Sequence, residues 1–255
     1  MQTETIRRNR KRAGIWASSI AVGALVAGSI TVGLYFGHDP ADAEPATNPA
    51  AVSHPITPNT DGPHESTIWD AQVWAMQNFG NFNAETHHGE GDALITLPEG
   101  ARAGLLTGRH TGDGAFELRL RDANNAIVEE PVNTSGDYRG TTAWGVHDSR
   151  EATTLQIVAD GSWSITISPV AGAGVMPSTG NGQGDAVFLY DGTWRGVNAV
   201  HNGTGEFEVR GYTEDPLATV NILTHTGPYS GTALLPSVPA VITVSSEGTW
   251  QIVRH

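Results

Sequence analysis

The string HTGDGAFELR, from His110 to Arg119, returns as HNGTGEFEVR from His201 to Arg210, 91 positions later. Three further matches keep the same order along the chain: GEGDALITL at 89–97 with GQGDAVFLY at 182–190, SGDYRGT at 135–141 with TGPYSGT at 226–232, and DGSW at 160–163 with EGTW at 247–250. The offset shrinks from 93 to 91 and then to 87, as expected of a duplicated domain that has lost loop residues. Two copies are too few for a solenoid, so each copy should fold around its own core.

Apolar and polar residues alternate within each copy, which is typical of β-strands with one buried face. Every second residue is apolar in FELRLR at 116–121, and FEVR at 207–210 repeats the pattern. Gly161 and Gly248 stand between such segments, where a positive φ would close a hairpin turn. We therefore predict an all-β fold, a tandem pair of small antiparallel β-sandwich domains.

The repeated string has a structural interpretation in this fold. Its glycines are expected to turn the chain, and Phe116 and Phe207 are expected to enter the two cores. Trp163 and Trp250 each begin an alternating strand whose neighbours on the same face are apolar, so burial between the sheets is favoured over an exposed binding role.

The first 36 residues differ in composition from the rest of the chain. Residues 13–36 contain no charge and no proline, and as a helix they would span about 36 Å, enough to cross a bilayer. The basic cluster RRNRKR at 7–12 precedes them, which predicts a cytoplasmic N-terminus. A cleaved signal peptide is the alternative, because Ala41-Asp42-Ala43 resembles a cleavage site.

These observations predict six segments. They are a cytoplasmic basic tail (1–12), a transmembrane helix (13–36), a Pro-rich disordered linker or stalk (37–66), a short helix with the first sandwich (67–170), a linker (171–181) and the second sandwich (182–255). The predicted location is the cell membrane, with the C-terminal domains extracellular.

The segment IWDAQVWAMQNF at 68–79 has two possible structures. Trp69, Val73 and Met76 have helical spacing behind a possible N-cap, Thr67. Trp69, Ala71, Val73 and Ala75 would equally form one face of a strand. We predict a short helix that packs on the first sandwich.

Composition excludes several functions. The chain carries a net charge of −13, and from Gly37 onward it has 9 basic and 26 acidic residues. Such a surface repels phosphate backbones, so no nucleic-acid partner is expected. The chain has no cysteine, which excludes disulfides, thiolate metal ligands and a lipid anchor on cysteine.

Four residues are candidates for binding, although each also has a structural interpretation. His110 and His201 occupy equivalent places at strand ends, where they could bind a ligand or simply bond the backbone. Tyr138 and Tyr229 stand in G-x-Y-x-G-T, where the hydroxyl could contact a ligand or bond the backbone as in a tyrosine corner. We predict no catalytic residue, no metal site and no cofactor. The sequence has no G-x-S-x-G nucleophile elbow, no H-E-x-x-H zinc motif, no D-x-D-x-D-G calcium loop and no glycine-rich phosphate-binding loop.

Four motifs in a fixed order, GxGDxV, H-[DN]-G-x-x-x-F, GPYSGT and DGxWxI, resemble a domain of uncharacterised actinobacterial membrane-anchored surface proteins. The resemblance covers roughly 89–170 and 182–255. The first copy departs from it at Asp137 and Arg139, where the second has Pro and Ser. The resemblance implies a β-sandwich outside the membrane, and no established activity comes with it.

We therefore expect a non-enzymatic, single-pass surface protein that presents two modules for extracellular binding or sensing. The alternatives are an extracellular hydrolase acting on cell-envelope polymer and a purely structural envelope spacer.

Overall fold

The computed structural model describes residues 65–147, 150–215 and 219–255. The predicted cytoplasmic tail, transmembrane helix and nearly all of the Pro-rich linker lie outside this range. Among the described residues, no helix is both long and apolar enough to cross a membrane.

The first copy consists of one helix and eight strands. They are α1 (Glu65–Phe79), β1 (Glu85–Glu90), β2 (Ala93–Thr96), β3 (Gly104–Thr111), β4 (Ala115–Arg121), β5 (Ile127–Ser135), β6 (Tyr138–Trp144), β7 (Thr154–Ala159) and β8 (Ser162–Ser168). We refer to residues 85–168 as module 1.

The second copy begins after a 3₁₀ turn at Val170–Gly172 and contains nine strands. They are β9 (Gly174–Val175), β10 (Thr179–Gln183), β11 (Ala186–Tyr190), β12 (Gly196–His201), β13 (Glu206–Tyr212), β14 (Thr219–Thr226), β15 (Tyr229–Leu234), β16 (Ala240–Ser246) and β17 (Thr249–Arg254). We refer to residues 174–254 as module 2. The segment 171–181, expected to be a linker, thus contains β9 and the start of β10.

The two modules have the same strand order. Module 1 has sheets β1-β8-β3-β6 and β2-β7-β4-β5, and module 2 has β10-β17-β12-β15 and β14-β13-β16-β11, with β9 added parallel to β11. Each strand of module 1 corresponds to the strand numbered nine higher in module 2. This order of eight antiparallel strands in two sheets is that of a jelly roll. The prediction of an all-β, sandwich-like fold is confirmed. Both Gly-Asp-Ala segments lead into equivalent strands, and both tryptophans lie on equivalent strands.

Each module has its own apolar core, formed by the inward positions of the alternating strands. Phe116 and Leu118 lie in the first core, and Phe207 and Val209 lie in the second. Trp163 and Trp250 are only 7% and 4% exposed, so both are core residues as predicted. Burying one large apolar side chain contributes roughly 1.5–3 kcal/mol.

A third apolar cluster joins the two modules. It consists of Ala71, Ala75, Ala103, Leu105, Ala143, Val146, Val170, Ala173, Val187, Leu189 and Val241. The residues from β3 and β6 lie on the outer face of one module 1 sheet, and those from β11 and β16 lie on the outer face of one module 2 sheet. The four sheets are therefore stacked in four layers, with the β2 and β10 sheets outermost.

The prediction of a short helix at 68–79 is confirmed, but its packing differs from the expectation. Ala71 and Ala75 are buried one turn apart, and α1 contacts the 3₁₀ turn and β11 as well as residues of module 1. Small side chains at this spacing let the helix axis approach closely. The helix thus lies over the junction of the modules and does not pack on the first sandwich alone.

The prediction of a positive φ at Gly161 and Gly248 is wrong. Neither residue is among the glycines with positive φ. A Cβ on Gly161 would lie 2.0 Å from the Thr111 carbonyl oxygen, and one on Gly248 would lie 2.4 Å from Cα of Gly203. These glycines are therefore needed because another backbone segment passes too close for a side chain.

Candidate functional site

The histidine of the repeated string fixes a neighbouring turn to the core. In module 1, Nδ1 of His110 lies 2.8 Å from the carbonyl oxygen of Gly136, and its ring stacks on Phe116 with centroids 4.6 Å apart. Because a carbonyl oxygen only accepts, Nδ1 carries the donated proton. Gly136 has a φ of 83°, so the histidine bonds the turn between β5 and β6 at its left-handed residue.

Module 2 repeats this arrangement closely. Nδ1 of His201 donates to the Gly227 carbonyl at 2.9 Å, and the ring stacks on Phe207 at 4.7 Å. His110 is 1% exposed and His201 is 0% exposed. Both rings are therefore interior groups, and a ligand at the surface does not reach them.

The glycines of the repeated string make room for this histidine and for the acid of the β7–β8 turn. A Cβ on Gly112 would lie 2.5 Å from Asp160 Oδ1 and 2.9 Å from the His110 ring. A Cβ on Gly203 would lie 2.5 Å from Nε2 of His201. Both glycines lie in turns as expected, Gly112 between β3 and β4 and Gly203 between β12 and β13, but neither has a positive φ.

The indole groups bond a second pair of left-handed glycines. Nε1 of Trp163 donates to the Gly91 carbonyl at 2.8 Å, and Nε1 of Trp250 donates to the Gly184 carbonyl at 2.9 Å. The φ angles of these glycines are 70° and 77°. Each module thus uses one tryptophan and one histidine to hold two glycine turns to its core.

Tyr138 connects the modules through its side chain. Its hydroxyl donates to Asp185 Oδ2 at 3.0 Å, while Asp185 Oδ1 accepts the backbone N–H of Ser246 at 3.1 Å. The N–H of Thr141 also donates to the Asp185 carbonyl at 3.0 Å. Tyr138 therefore packs beside its own core and closes a contact between modules, a role that the repeat alone does not predict.

The expected tyrosine-to-backbone bond occurs at another residue. The Tyr190 hydroxyl accepts the N–H of Trp194 at 2.9 Å and donates to the carbonyl of the same residue. Tyr190 is fully buried in the second core. Burial raises the pKa of Tyr190, with the nearby Asp191 charge adding to the rise and the bond to Trp194 opposing it.

A cleft of about 280 Å³ lies where the modules meet. Module 1 contributes residues from β5, β6 and the segment after β6, and module 2 contributes Asp185, just before β11, and residues from β13 and β16. The polar and aromatic residues that define its chemistry are Glu129, His147, Asp185, Glu208, Arg210 and Tyr212.

An ion pair and a hydrogen bond hold charged side chains of this cleft in place. Arg210 bonds Glu208 at 2.7 Å, and Glu129 Oε2 accepts the N–H of Gly145 at 2.9 Å. Partial burial acts to lower the pKa of Arg210, but bonds and charges from Glu208 and Tyr212 outweigh it and leave that pKa raised. The guanidinium therefore stays charged, and Glu208 is partly compensated.

An aromatic pair lies in the same cleft. The rings of His147 and Tyr212 are 5.7 Å apart at an interplanar angle of 36°. Nδ1 of His147 lies 3.7 Å from Glu129 Oε1. His147 belongs to module 1 and Tyr212 to module 2, so this pair exists only because the modules are in contact.

A second cavity, of about 330 Å³, lies on the outer face of the β2 sheet of module 1. Asp92, Leu94, Arg121 and Gln156 line it. By the offsets of the repeat, these positions correspond to Asp185, Val187, Tyr212 and Thr243 in module 2. Neither cavity is an aromatic-lined cleft repeated in both modules. Within the described ranges, no three His, Asp or Glu residues form a group suited to a metal ion.

The structure places all four predicted binding candidates near turns or sheet edges. His110 and His201 are buried, Tyr138 bonds across the junction, and Tyr229 occupies the equivalent edge position on β15. The cleft residues were missed because they become neighbours only when the modules pack. The one feature of the sequence that could have pointed to this cleft is that His147 has no equivalent in the other copy.

No protein-family model matches the chain, and no curated protein matches it. Among solved structures, it is similar to one from the work "Life in the extremes: atomic structure of Sulfolobus Turreted Icosahedral Virus", at 10% identity, covering 69% of this chain and 90% of that one, with a TM-score of 0.25. It is also similar to a regulatory subunit of a cAMP-independent protein kinase A from Trypanosoma cruzi bound to guanosine, at 10% identity, covering 73% and 83%, with a TM-score of 0.20.

Proposed function

We propose that this chain is a non-enzymatic, single-pass surface protein whose two modules together bind an extracellular ligand. The observation that carries the proposal is the cleft between the modules, whose lining residues come from both. Ligand sites are favoured where domains meet, because side chains from two bodies converge there.

The cleft's chemistry suits a small polar ligand with a positive charge. Glu129 and Asp185 supply carboxylates, and Thr141, Thr142 and Ser245 supply hydroxyl groups. Tyr212 adds an aromatic face, which attracts cations. An amino sugar or a cationic peptide side chain combines the required charge with hydrogen-bonding groups.

The membrane part of the proposal rests on the sequence. The apolar stretch at 13–36 follows a basic cluster, which favours a cytoplasmic N-terminus and modules outside the cell. The acidic composition from Gly37 onward fits a soluble surface exposed to solvent. We propose that the Pro-rich segment at 37–66 acts as a stalk between the membrane and the modules.

An array of glycans and cationic peptides, probed with the purified full chain, tests the binding proposal. Thr243→Arg places a long cationic side chain in the cleft and should reduce binding by about tenfold or more, through steric and charge repulsion. Thr204→Arg puts the same side chain on the exposed turn between β12 and β13, outside the cleft lining, and should leave binding unchanged. Equal binding by both variants would place the site elsewhere.

A structural spacer is the second candidate, and the third apolar cluster favours it. That cluster and α1 join the modules into a continuous body, which suits an element that holds a fixed distance from the membrane. The array separates the candidates, since a spacer binds none of the probes. Release of reducing ends or peptide fragments from envelope polymer would instead support the hydrolase alternative.

A further inference from the structure

We infer that the chain associates with further copies of itself, head to tail, through a second use of the contact that joins its own modules. The β15 edge of one copy would dock on the outer face of the β2 sheet of the next. This inference does not depend on the ligand proposed for the cleft.

The internal contact is not symmetric. The outer face of the β1 sheet of module 1 packs on the outer face of the β11 sheet of module 2, so two different surfaces meet. Because the modules share one topology, each of these two sheets has a counterpart in the other module. The chain therefore carries one further copy of each surface, at opposite ends of the four-layer stack.

Each of the two further surfaces exposes one leucine at a position that the internal contact buries. Leu94 is 63% exposed, whereas its equivalent on β11, Val187, is 7% exposed. Leu234 on β15 is 78% exposed, whereas its equivalent on β6, Ala143, is 7% exposed. These two leucines have the highest exposure among the large apolar side chains of the described residues. They are expected to meet between copies, as Ala143 and Val187 belong to one cluster within a copy.

The polar part of the contact is also present twice. Asp92 Oδ1 accepts the N–H of Ala159 at 3.0 Å, as Asp185 Oδ1 accepts that of Ser246. Asp185 Oδ2 accepts the Tyr138 hydroxyl, but no residue in the described part of the chain donates to Asp92 Oδ2. The hydroxyl of Tyr229, the equivalent of Tyr138, is expected to donate to Asp92 of the next copy.

The docking face has a cavity beside Leu94 that corresponds to the cleft of the internal contact. Three of its lining residues, Asp92, Arg121 and Gln156, are equivalent to Asp185, Tyr212 and Thr243, which line that cleft. Arg121 and Gln156 stand there in place of Tyr212 and Thr243, so the contact between copies is more polar. Association should therefore be weaker than the internal contact, and reversible. A contact between two different surfaces produces a ring or an open chain of copies, depending on the rotation between them.

Cysteine cross-linking tests the inference on the full chain, since the sequence has no cysteine of its own. Two copies with different tags are co-expressed, one with Leu94→Cys and the other with Leu234→Cys, and mild oxidant is added to the membranes. We expect a disulfide between the two tags. The collision control pairs Leu234→Cys with Ile127→Cys, an exposed position on β5 at the other edge of the same module 1 sheet.

A second variant separates the proposed contact from mere proximity in the membrane. Tyr229→Phe in the Leu234→Cys copy removes one proposed hydrogen bond between copies. It should weaken their association, and so lower the rate of disulfide formation, by about fivefold. Its melting temperature should match that of the parent. The inference is overturned if the Leu94–Leu234 pair forms no faster than the Ile127 control, or if Leu94→Cys copies pair best with one another.

Discussion

Tryptophan, histidine and glycine act together at the same places in both modules. Trp250 fills the second core with its ring and bonds the Gly184 carbonyl with its indole N–H. His201 does the same for the Gly227 carbonyl. Each of these side chains therefore links an apolar core to a turn that only glycine readily forms.

Replacement of Trp250 should separate these two contributions. Trp250→Ala leaves a cavity and should lower the free energy of unfolding by about 3–5 kcal/mol. Trp250→Phe keeps much of the ring but leaves the Gly184 carbonyl without its donor, at a cost of about 1–3 kcal/mol. Urea titration measures both. A loss below 1 kcal/mol for Trp250→Ala would contradict burial of this side chain.

Tyr190 should make the protein sensitive to alkaline pH. Its pKa is raised in the folded state, chiefly by burial, so the folded protein holds the phenol proton more tightly than the unfolded chain does. The contribution of this proton to the free energy of unfolding is fully present below the pKa of the unfolded chain, about 10. It is lost as the pH rises through the pKa of the folded state.

Tyr190→Phe loses the hydrogen bonds to the Trp194 backbone and should be less stable than the parent at neutral pH. Because it has no phenol proton to lose, it should also be less affected by pH above about 10. The measurement is the free energy of unfolding from pH 8 to pH 11, with Tyr229→Phe as the control at a partly exposed tyrosine. An identical alkaline loss in Tyr190→Phe and its parent would assign the effect to other groups.

At the scale of the elements, much of the structure could be predicted from the sequence. Alternation in FELRLR at 116–121 corresponds to β4, and the helical spacing from Trp69 to Met76 corresponds to α1. The role of Gly161 and Gly248 could not be predicted. The sequence shows that glycine can adopt a positive φ, but it does not show which backbone segment passes close to that glycine. Gly161 is required by the Thr111 carbonyl, a contact between segments about 50 residues apart.

The loss of stability when a glycine is replaced by alanine should depend on the space available for the new Cβ as well as on φ. Gly161→Ala forces a Cβ against the Thr111 carbonyl and should lower the free energy of unfolding by about 1–3 kcal/mol or more. Gly174→Ala is the matched control, because its φ is not positive and no atom lies within 4 Å of the added Cβ. Thermal unfolding of both variants measures the difference. Equal melting temperatures would show that the β7–β8 turn relaxes freely.

The candidate site shows where prediction from sequence ends. His110 and His201 stood out as repeated polar residues, but they repeat because they perform the same structural task twice. Tyr212 and His147 do not repeat, and they meet in the cleft between modules. A site formed at a junction depends on which faces meet, and alternation within a strand does not specify that choice.

At the scale of the whole molecule, the predicted membrane orientation is open to direct measurement. Protease added to intact cells should digest the region after Gly37 and leave the N-terminal tail protected. The physical reason is that the basic cluster at 7–12 stays on the cytoplasmic side. A soluble form beginning near Glu44 would show instead that the apolar segment is a cleaved signal peptide.

The junction makes the two modules energetically dependent on each other. Leu105 and Ala143 of module 1 share a cluster with Val187, Leu189 and Val241 of module 2, and α1 lies over the same cluster. If one module unfolds, the other exposes this apolar surface and loses the bond between Tyr138 and Asp185. The modules are therefore expected to unfold together, although each has a core of its own.

Differential scanning calorimetry on residues 65–255 tests this claim most directly. One transition is predicted, with equal calorimetric and van't Hoff enthalpies. Trp250→Ala should move that whole transition to lower temperature, although the substitution lies in module 2. Two separate transitions, of which Trp250→Ala moves only one, would contradict the account and show that the modules are independent domains.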